Sequence, residues 1–488
     1  MNFKFGSTKN RYSHESKSNN HDIGENPFEA IFQKINQNHF DRSYGNIEDN
    51  PNTLPANGHD ICNYLARHRL ANYQIQIVMK IDGILDYNKL VRAVQLSVDA
   101  EPVLGCRFVE NETPYWKRLD NIDKIMFCSF EETDNPDKAI QSFLESPLDM
   151  DKDPVVKVRL IRSGPYDTLC IKLNHTCCDG AGTKEYIHLL SEIYSTINQE
   201  CGIFIPRPRI GGRKDQDRLF SALGIKNPKA EWNPLEMIPR TMWTFPWRQG
   251  RTEATRFVVC RLPYGHVDVM SKYGKARGAT INDLILTAYY RAMFEISKPL
   301  YGIPMDISST IDLRRYLPNQ KAEAMRNLSG GFITAIPRVK GESFEATLTR
   351  VIHQMNKVKD GRPGLQNAIG GELVEKMSFT KMNTYFKASS QVSEIAAQYP
   401  TPYSKLCLPG LSNLGLISRS LIKFGENAVT DAYIVPPAVR APGFLLLACT
   451  YNGILTFVSG CYKDEISRKH MERLLNKVKD ELMEGCGM

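Results

Sequence analysis

The segment Leu173-Asn-His-Thr-Cys-Cys-Asp-Gly-Ala-Gly182 gathers an imidazole (His175), two thiols (Cys177, Cys178) and a carboxylate (Asp179) in one short stretch. Histidine, with an ordinary pKa of about 6.5, takes and returns a proton near neutral pH. Fixed at a strand end, its ring can face a cleft while its backbone stays rigid. Asp179, a few residues on, has the reach to orient that ring or brace the loop. The same residues also fit a quieter arrangement, a core histidine with its hydrogen bonds met and an aspartate capping the next helix. A Cys-His nucleophile is a third reading. It is disfavoured because a loop rarely aligns a thiol with a ring two or three positions away. A zinc site from His175, Cys178 and Asp179 is weaker still, since residues this close do not readily supply a tetrahedral set.

The elements around this segment follow from periodicity. Leu169, Ile171 and Leu173 alternate with Cys170, Lys172 and Asn174, a strand that leaves His175 at the end of its apolar face. Gly180-Ala-Gly182 then opens a helix whose apolar side is Tyr186, Leu189, Leu190 and Ile193. Upstream, Ile75, Ile77, Met79 and Ile81 alternate with Gln74, Gln76, Val78 and Lys80, which predicts a half-buried strand. Gly83 permits a turn, and Leu90, Ala93, Val94, Ser97 and Val98 form a helix face that ends before Pro102. Val156, Val158 and Leu160 mark another strand, closed by a Gly164-Pro165 turn.

A second set of elements begins at Arg256–Leu262, a strand. Thr280 and Asp283 form a capping-box pattern before a helix with Ile281, Leu284, Ile285, Ala288, Tyr289 and Ala292 on its apolar face. Asn452-Gly453, between Gly443–Tyr451 and Ile454–Cys461, is a hairpin signal. Met471, Leu474, Leu475, Val478 and Leu482 line a last helix. Strands and helices mix in both halves, so an α/β chain with mixed sheets is expected.

Composition sets the boundaries. The 488 residues hold 42% apolar and 24% charged side chains, ordinary globular usage that excludes a disordered, collagen-like or disulfide-scaffold chain. Residues 1–60 are polar, with Phe28–Ile35 as one candidate helix, and are expected to be a flexible tail. Residues 61–200 then form a first lobe, 201–250 a proline- and arginine-rich crossover, and 251–488 a second lobe. The 12 cysteines include no C-x-x-C pair, which predicts free thiols in a reducing compartment. No apolar run is long enough to span a bilayer, and Met1–Asn10 has no apolar leader core, so a cytoplasmic location is expected. The net charge of +8 is dispersed. It suits an anionic small molecule, and nucleic acid is not expected.

Asn174-His175-Thr-Cys-Cys-Asp179-Gly180 resembles the H-H-x-x-x-D-G motif of the condensation-domain and acyltransferase superfamily. That group includes peptide-synthetase condensation domains, wax ester synthases, alcohol acetyltransferases and chloramphenicol acetyltransferase. The likeness runs in order over about residues 61–485. Tyr73–Gly83 with Leu85-Asp86 is similar to the opening strand and turn, and Glu101–Phe108 to the following "hP-x-L-R-x-x-F" stretch. Thr280-Ile-Asn-Asp283 is similar to the start of the family's helix. Ile311-Asp-Leu-Arg-Arg315 resembles its "DLR" segment and Gly330-Gly-Phe-Ile-Thr334 its "G-x-F-x-N/T". Ser412-Asn-Leu-Gly415 resembles the "S-N-x-G" of the wax ester and alcohol acyltransferase branches. Asn174 replaces the first histidine of the doublet. The second is the one credited with catalysis, so the departure weighs chiefly against peptide condensation.

The resemblance implies two chloramphenicol-acetyltransferase-like lobes arranged in a V, with the active site at their interface. It implies transfer of an acyl group, acetyl first, from a thioester to an alcohol or amine, with His175 as general base. Asp179 and Gly180 are implied as structural, Asp179 paired with Arg314 of the second lobe. Thr334, Ser412 and Asn413 are candidates for the oxyanion site or channel. No metal and no bound cofactor are implied, only acyl-CoA or an acyl-carrier thioester as co-substrate. Arg207, Arg209, Arg213 and Lys214 could meet CoA phosphates, although a solvated linker is the simpler reading. The alternatives are a stand-alone condensation-type domain served by a separate acyl or peptidyl carrier protein, and a degenerate member that only binds.

Overall fold

The computed structural model describes residues 50–68, 71–197, 204–211, 216–248, 250, 252–396 and 406–488. A six-stranded sheet organises the first lobe, in the order Lys423–Phe424, Asn427–Val435, Gln74–Ile81, Tyr166–Asn174, Val156–Ser163, Cys128–Glu132. All its pairings are antiparallel except the last. The strand Gln74–Ile81 was expected to be half-buried and is instead buried on both faces, Lys80 excepted. The reason is helix Pro136–Glu145, which covers the polar side of the sheet. Gln76 Nε2 donates to Leu144 O at 3.2 Å and Lys172 Nζ donates to Phe143 O at 2.8 Å. Polar residues on that face thus meet the exposed carbonyls of the helix C-terminus, the groups that otherwise lack partners. Helices Tyr87–Ala100 and Gly180–Thr196 pack against each other in the same lobe.

The second sheet runs Ser329–Pro337, Pro304–Asp312, Leu406–Leu416, Gly443–Tyr451, Ile454–Tyr462, Thr255–Arg261, with Trp243–Thr244 paired onto Leu406–Leu416. It is mixed: Leu406–Leu416 runs parallel to both its long neighbours, and the other pairs are antiparallel. The Asn452-Gly453 turn joins Tyr451 to Ile454, both turn residues having positive φ as a tight hairpin turn requires. Thr280 and Asp283 cap helix Ile281–Ser297 reciprocally, and that helix packs against Arg468–Cys486. No helix among the described residues is long and apolar enough to cross a membrane.

Three expected boundaries are corrected. Asn427–Val435, assigned by sequence to the second lobe, pairs along Gln74–Ile81 and belongs to the first sheet. Tyr451, Leu447 and Val458 also pack into the first lobe's core, so the lobes share chain. Residues 201–250 are more than a crossover. Helix Gln216–Ala222 buries Leu219 and Phe220 with Leu313, Leu328, Leu365 and Ile369, and buried Trp243 donates to Asp306 O at 2.6 Å. Arg209 pairs with Glu101 and donates to the carbonyls of Glu323 and Ala322, so it is a tie between segments. Arg207 is exposed, while Arg213 and Lys214 lie outside the described residues.

The tail boundary at residue 60 is drawn too late. Thr53–Pro55 pairs with Tyr115–Arg118 in a small three-stranded sheet, and Leu54 is buried. Asn57 caps helix Gly58–Ala66 in a full capping box, and Gly58 N donates to Glu375 Oε1 at 2.6 Å. Residues 1–49, including Phe28–Ile35, lie outside the described residues. A chain that begins after Asn57 is therefore expected to melt several degrees below one that begins at Asn50. Loss of the cap alone costs about 1 kcal/mol, and loss of buried Leu54 adds to it. Coincident melting curves for the two chains would show that this strand and cap carry no load.

Candidate functional site

His175 directly follows strand Tyr166–Asn174 and is half-buried at the edge of a cavity of about 590 Å³ between the lobes. Its backbone N–H donates to Tyr73 O at 2.7 Å, and its carbonyl accepts from Asn63 Nδ2 at 3.1 Å. The main chain at the strand end is thereby pinned on both sides. Tyr73 holds φ at +40°, a region that side chains other than glycine rarely occupy. Its ring stands edge-on to the His175 ring, centroids 6.0 Å apart.

The imidazole's tautomer follows from one neighbour. Asn327, 1% exposed, comes from the segment before the edge strand Ser329–Pro337 of the second sheet. Its Nδ2 donates to Thr176 O at 2.7 Å, and a carbonyl can only accept. The amide is thus oriented with Oδ1 toward His175 Nδ1 at 3.2 Å. That oxygen must accept, so the ring proton sits on Nδ1. Nε2 is left as a lone pair, with no hydrogen bond to any described residue. Asn327 was missed by sequence reasoning. It lies 152 residues from His175, and no motif flags an asparagine in a loop.

Asp179 and Arg314 are in contact across the lobes. Arg314 Nη1 donates to Asp179 Oδ2 at 2.9 Å, with both side chains almost wholly buried. The same Oδ2 accepts from Leu328 N at 2.7 Å and Ser329 Oγ at 3.3 Å, while Oδ1 accepts from Gly182 N at 2.8 Å and caps helix Gly180–Thr196. Burial alone would push this carboxyl up. The Arg314 guanidinium and the backbone amides outweigh burial and hold Asp179 down at about 2. Arg314 also meets Asp312 Oδ1 at 3.2 Å and Glu185 Oε1 at 3.3 Å. Burial pushes both of those carboxyls up. Gly180 packs closely on the second lobe: a Cβ there would lie 2.6 Å from Leu414 Cδ2, and the leucine side chain would have to shift. Nearby, Lys184 Nζ donates to Leu414 O at 2.9 Å.

The other sequence candidates divide. Ser412 and Asn413 line the cavity. Thr310 Oγ1 donates to Ser412 Oγ at 3.0 Å, which leaves the Ser412 hydroxyl proton free, and Asn413 Nδ2 donates to Asn282 Oδ1 at 3.2 Å. Thr334 is corrected: it is fully buried in the second lobe, where its hydroxyl meets Tyr290 OH at 2.9 Å, and it does not line the cavity. Thr334 lies on the same strand face as Phe332, two residues further along, where Tyr290 of helix Ile281–Ser297 covers it. Cys177 and Cys178 are likewise fully buried, on the core side of the loop. Cys177 Sγ donates to Asn174 O at 3.0 Å, while the neighbouring Cys177 thiol and burial push the Cys178 thiol well up. Asn174, the departure from the doublet, accepts from Thr176 N at 2.9 Å and braces the turn.

The two-lobed fold that carries this arrangement is matched in known proteins. The chain has the condensation-domain fold. Residues 65–207 match the family model of the condensation domain. Among solved structures, the first condensation domain of the calcium-dependent antibiotic synthetase superposes with TM-score 0.64 at 15% identity, covering 90% of this chain and 97% of that one. Trichothecene 15-O-acetyltransferase from Fusarium sporotrichioides gives TM-score 0.63 at 13% identity, with 88% and 94% coverage. Polyketide synthase associated protein 5 from Mycobacterium tuberculosis gives 0.61 at 13%, with 90% and 99% coverage. An uncharacterized protein of Mycobacterium tuberculosis is 26% identical over 226 residues, 44% of this chain. The chain spans about half the length of these curated relatives, 50%.

Three outcomes are expected. Replacing Asn327 with Leu keeps the volume but removes the acceptor, so 15N NMR of the His175 ring should change from a single Nδ1–H tautomer to a mixture. An unchanged tautomer would show that Asn327 does not set it. In urea melts, Arg314→Ala should cost about 3–5 kcal/mol, because it leaves Asp179, Asp312 and Glu185 facing one another. Asp179→Ala should cost less, since Arg314 keeps two carboxylates, and the double variant should lie below the sum. Strict additivity would rule out the coupling. A carboxyl lowered on folding stabilises above its ordinary range and loses that contribution as pH falls. Wild type should therefore lose stability between about pH 4 and 2 through Asp179, and Asp179→Asn should not show that component.

Proposed function

We propose that this protein transfers an acyl group from a thioester to a hydroxyl or amine acceptor, with His175 as general base. The observation that supports this most is the His175 ring, whose Nδ1–H is occupied by Asn327 while Nε2 is free at the rim of the interlobe cavity. An acceptor hydroxyl bound there gives its proton to Nε2 as its oxygen attacks the thioester carbonyl. The C–O bond forms, and the carbonyl oxygen becomes an oxyanion. Collapse breaks the C–S bond, and Nε2–H returns the proton to the departing thiolate, leaving an ester and a free thiol. The thioester is already activated, so no covalent enzyme intermediate is needed. Ser412, with its hydroxyl proton free and its side chain on the cavity, is the donor that fits the oxyanion. The donor is acyl-CoA on this reading. A second reading, an acyl group delivered by a separate carrier protein, is favoured by the match of residues 65–207 to the condensation-domain model.

His175→Ala is expected to fold normally and to lose roughly 10²–10⁴-fold in kcat. Thiol release from acyl-CoA across a panel of alcohols and amines is the measurement. Cys177→Ser and Cys178→Ser should keep most activity, and no acyl adduct should appear by mass spectrometry after incubation with donor alone. A trapped thioester on either cysteine would overturn the general-base mechanism.

A further inference from the structure

Three cavities meet around the edge strand Ser329–Pro337 of the second sheet: the His175 cavity of about 590 Å³, a second of about 390 Å³ and a third of about 340 Å³. Phe332 is the residue that all three linings have in common. The wall between the first and second consists of Phe332, Val358 and Pro363. Phe332 is half-buried against the second lobe's core, and Met355, from the same helix as Val358, lines the first cavity beside it. Across the strand pair Phe332 stands opposite Ser309, and on the same face Gly330 precedes it, while Thr334, which follows it, is held by Tyr290. Ser309 and Gly330 are too small to fill the space the ring occupies. The Phe332 ring, with Val358 and Pro363, is therefore the apolar wall at this point.

We propose that Phe332 is the partition that sets how long an apolar group the His175 cavity accepts, with the 390 Å³ cavity as the space a longer group enters when the ring is absent. This deepens the acyl-transfer reading and rests on it. The substrate class it names is a thioester with an aliphatic acyl chain that ends against Phe332. A methylene that fits or is rejected at such a wall is worth roughly tenfold or more in kcat/KM.

The test is a straight-chain acyl-CoA series, acetyl to palmitoyl, with wild type, Phe332→Ala and Phe332→Trp. Wild type should fall off at one chain length, Phe332→Ala at a longer one and Phe332→Trp at a shorter one. One common profile for all three would overturn the proposal. A crystal structure of Phe332→Ala gives an answer independent of turnover. A single merged cavity supports the partition. If Met355 and Val358 close the gap and two separate cavities remain, the proposal fails. Should wild type release thiol from no acyl-CoA, the acyl-CoA reading fails alone, and the Phe332→Ala cavity still decides whether this ring is the wall.

Discussion

One buried carboxylate, Asp179, joins the two lobes and orders the site. It accepts from the N-terminus of its own helix through Gly182, and from Arg314, Leu328 and Ser329 of the other lobe. A buried charge is tolerable only when its lone pairs are met, and here four donors meet them. The consequence reaches His175 through the chain itself. The amide that binds Asp179 is that of Leu328, next to Asn327, and Asn327 is the residue that holds the imidazole. The ion pair thus sets the register of the segment that fixes the ring. A change at Asp179 or Arg314 acts on His175 through position, with no contact between the carboxylate and the ring among the described interactions.

The parts legible in the sequence are those set by local rules. Alternation marked Tyr166–Asn174, the Thr280 and Asp283 pair marked a helix start, and Asn452-Gly453 marked a hairpin. Each depends on residues within a few positions of one another. Asp179 satisfied two readings at once: it is the helix cap that its spacing suggested, and it is bonded to Arg314. The parts that were not legible depend on distant chain. Asn427–Val435 has the same alternating pattern whichever sheet it joins, and only the space beside Gln74–Ile81 decides. Asn327 acts through two hydrogen bonds to residues about 150 positions away. Residues 50–57 looked like tail because a three-residue strand and one buried leucine leave no periodicity to detect.

Burial sorts the polar residues of the motif by role. Cys177 and Cys178 point into the first lobe, where thiols behave as small apolar groups. Asn174 spends its side chain on the turn and Asp179 spends its own on the lobe interface. Only His175 is left with a ring nitrogen uncommitted. Two adjacent thiols beside a histidine invite a nucleophilic reading, and the direction of the loop, which buries both, adds to the spacing as an argument against it.

The partner of the ring has a consequence for the chemistry proposed. A carboxylate behind a histidine fixes its tautomer and also stabilises the imidazolium that forms when the base takes a proton. Asn327 fixes the tautomer and brings no negative charge, and the nearest carboxylate in the motif is neutralised by Arg314. A base held this way is suited to a proton borrowed briefly and returned at once. Acyl transfer from a thioester has that character. The leaving thiolate is a stable anion that takes the proton back, and the intermediate need not wait for a strongly basic amine or alkoxide to be expelled.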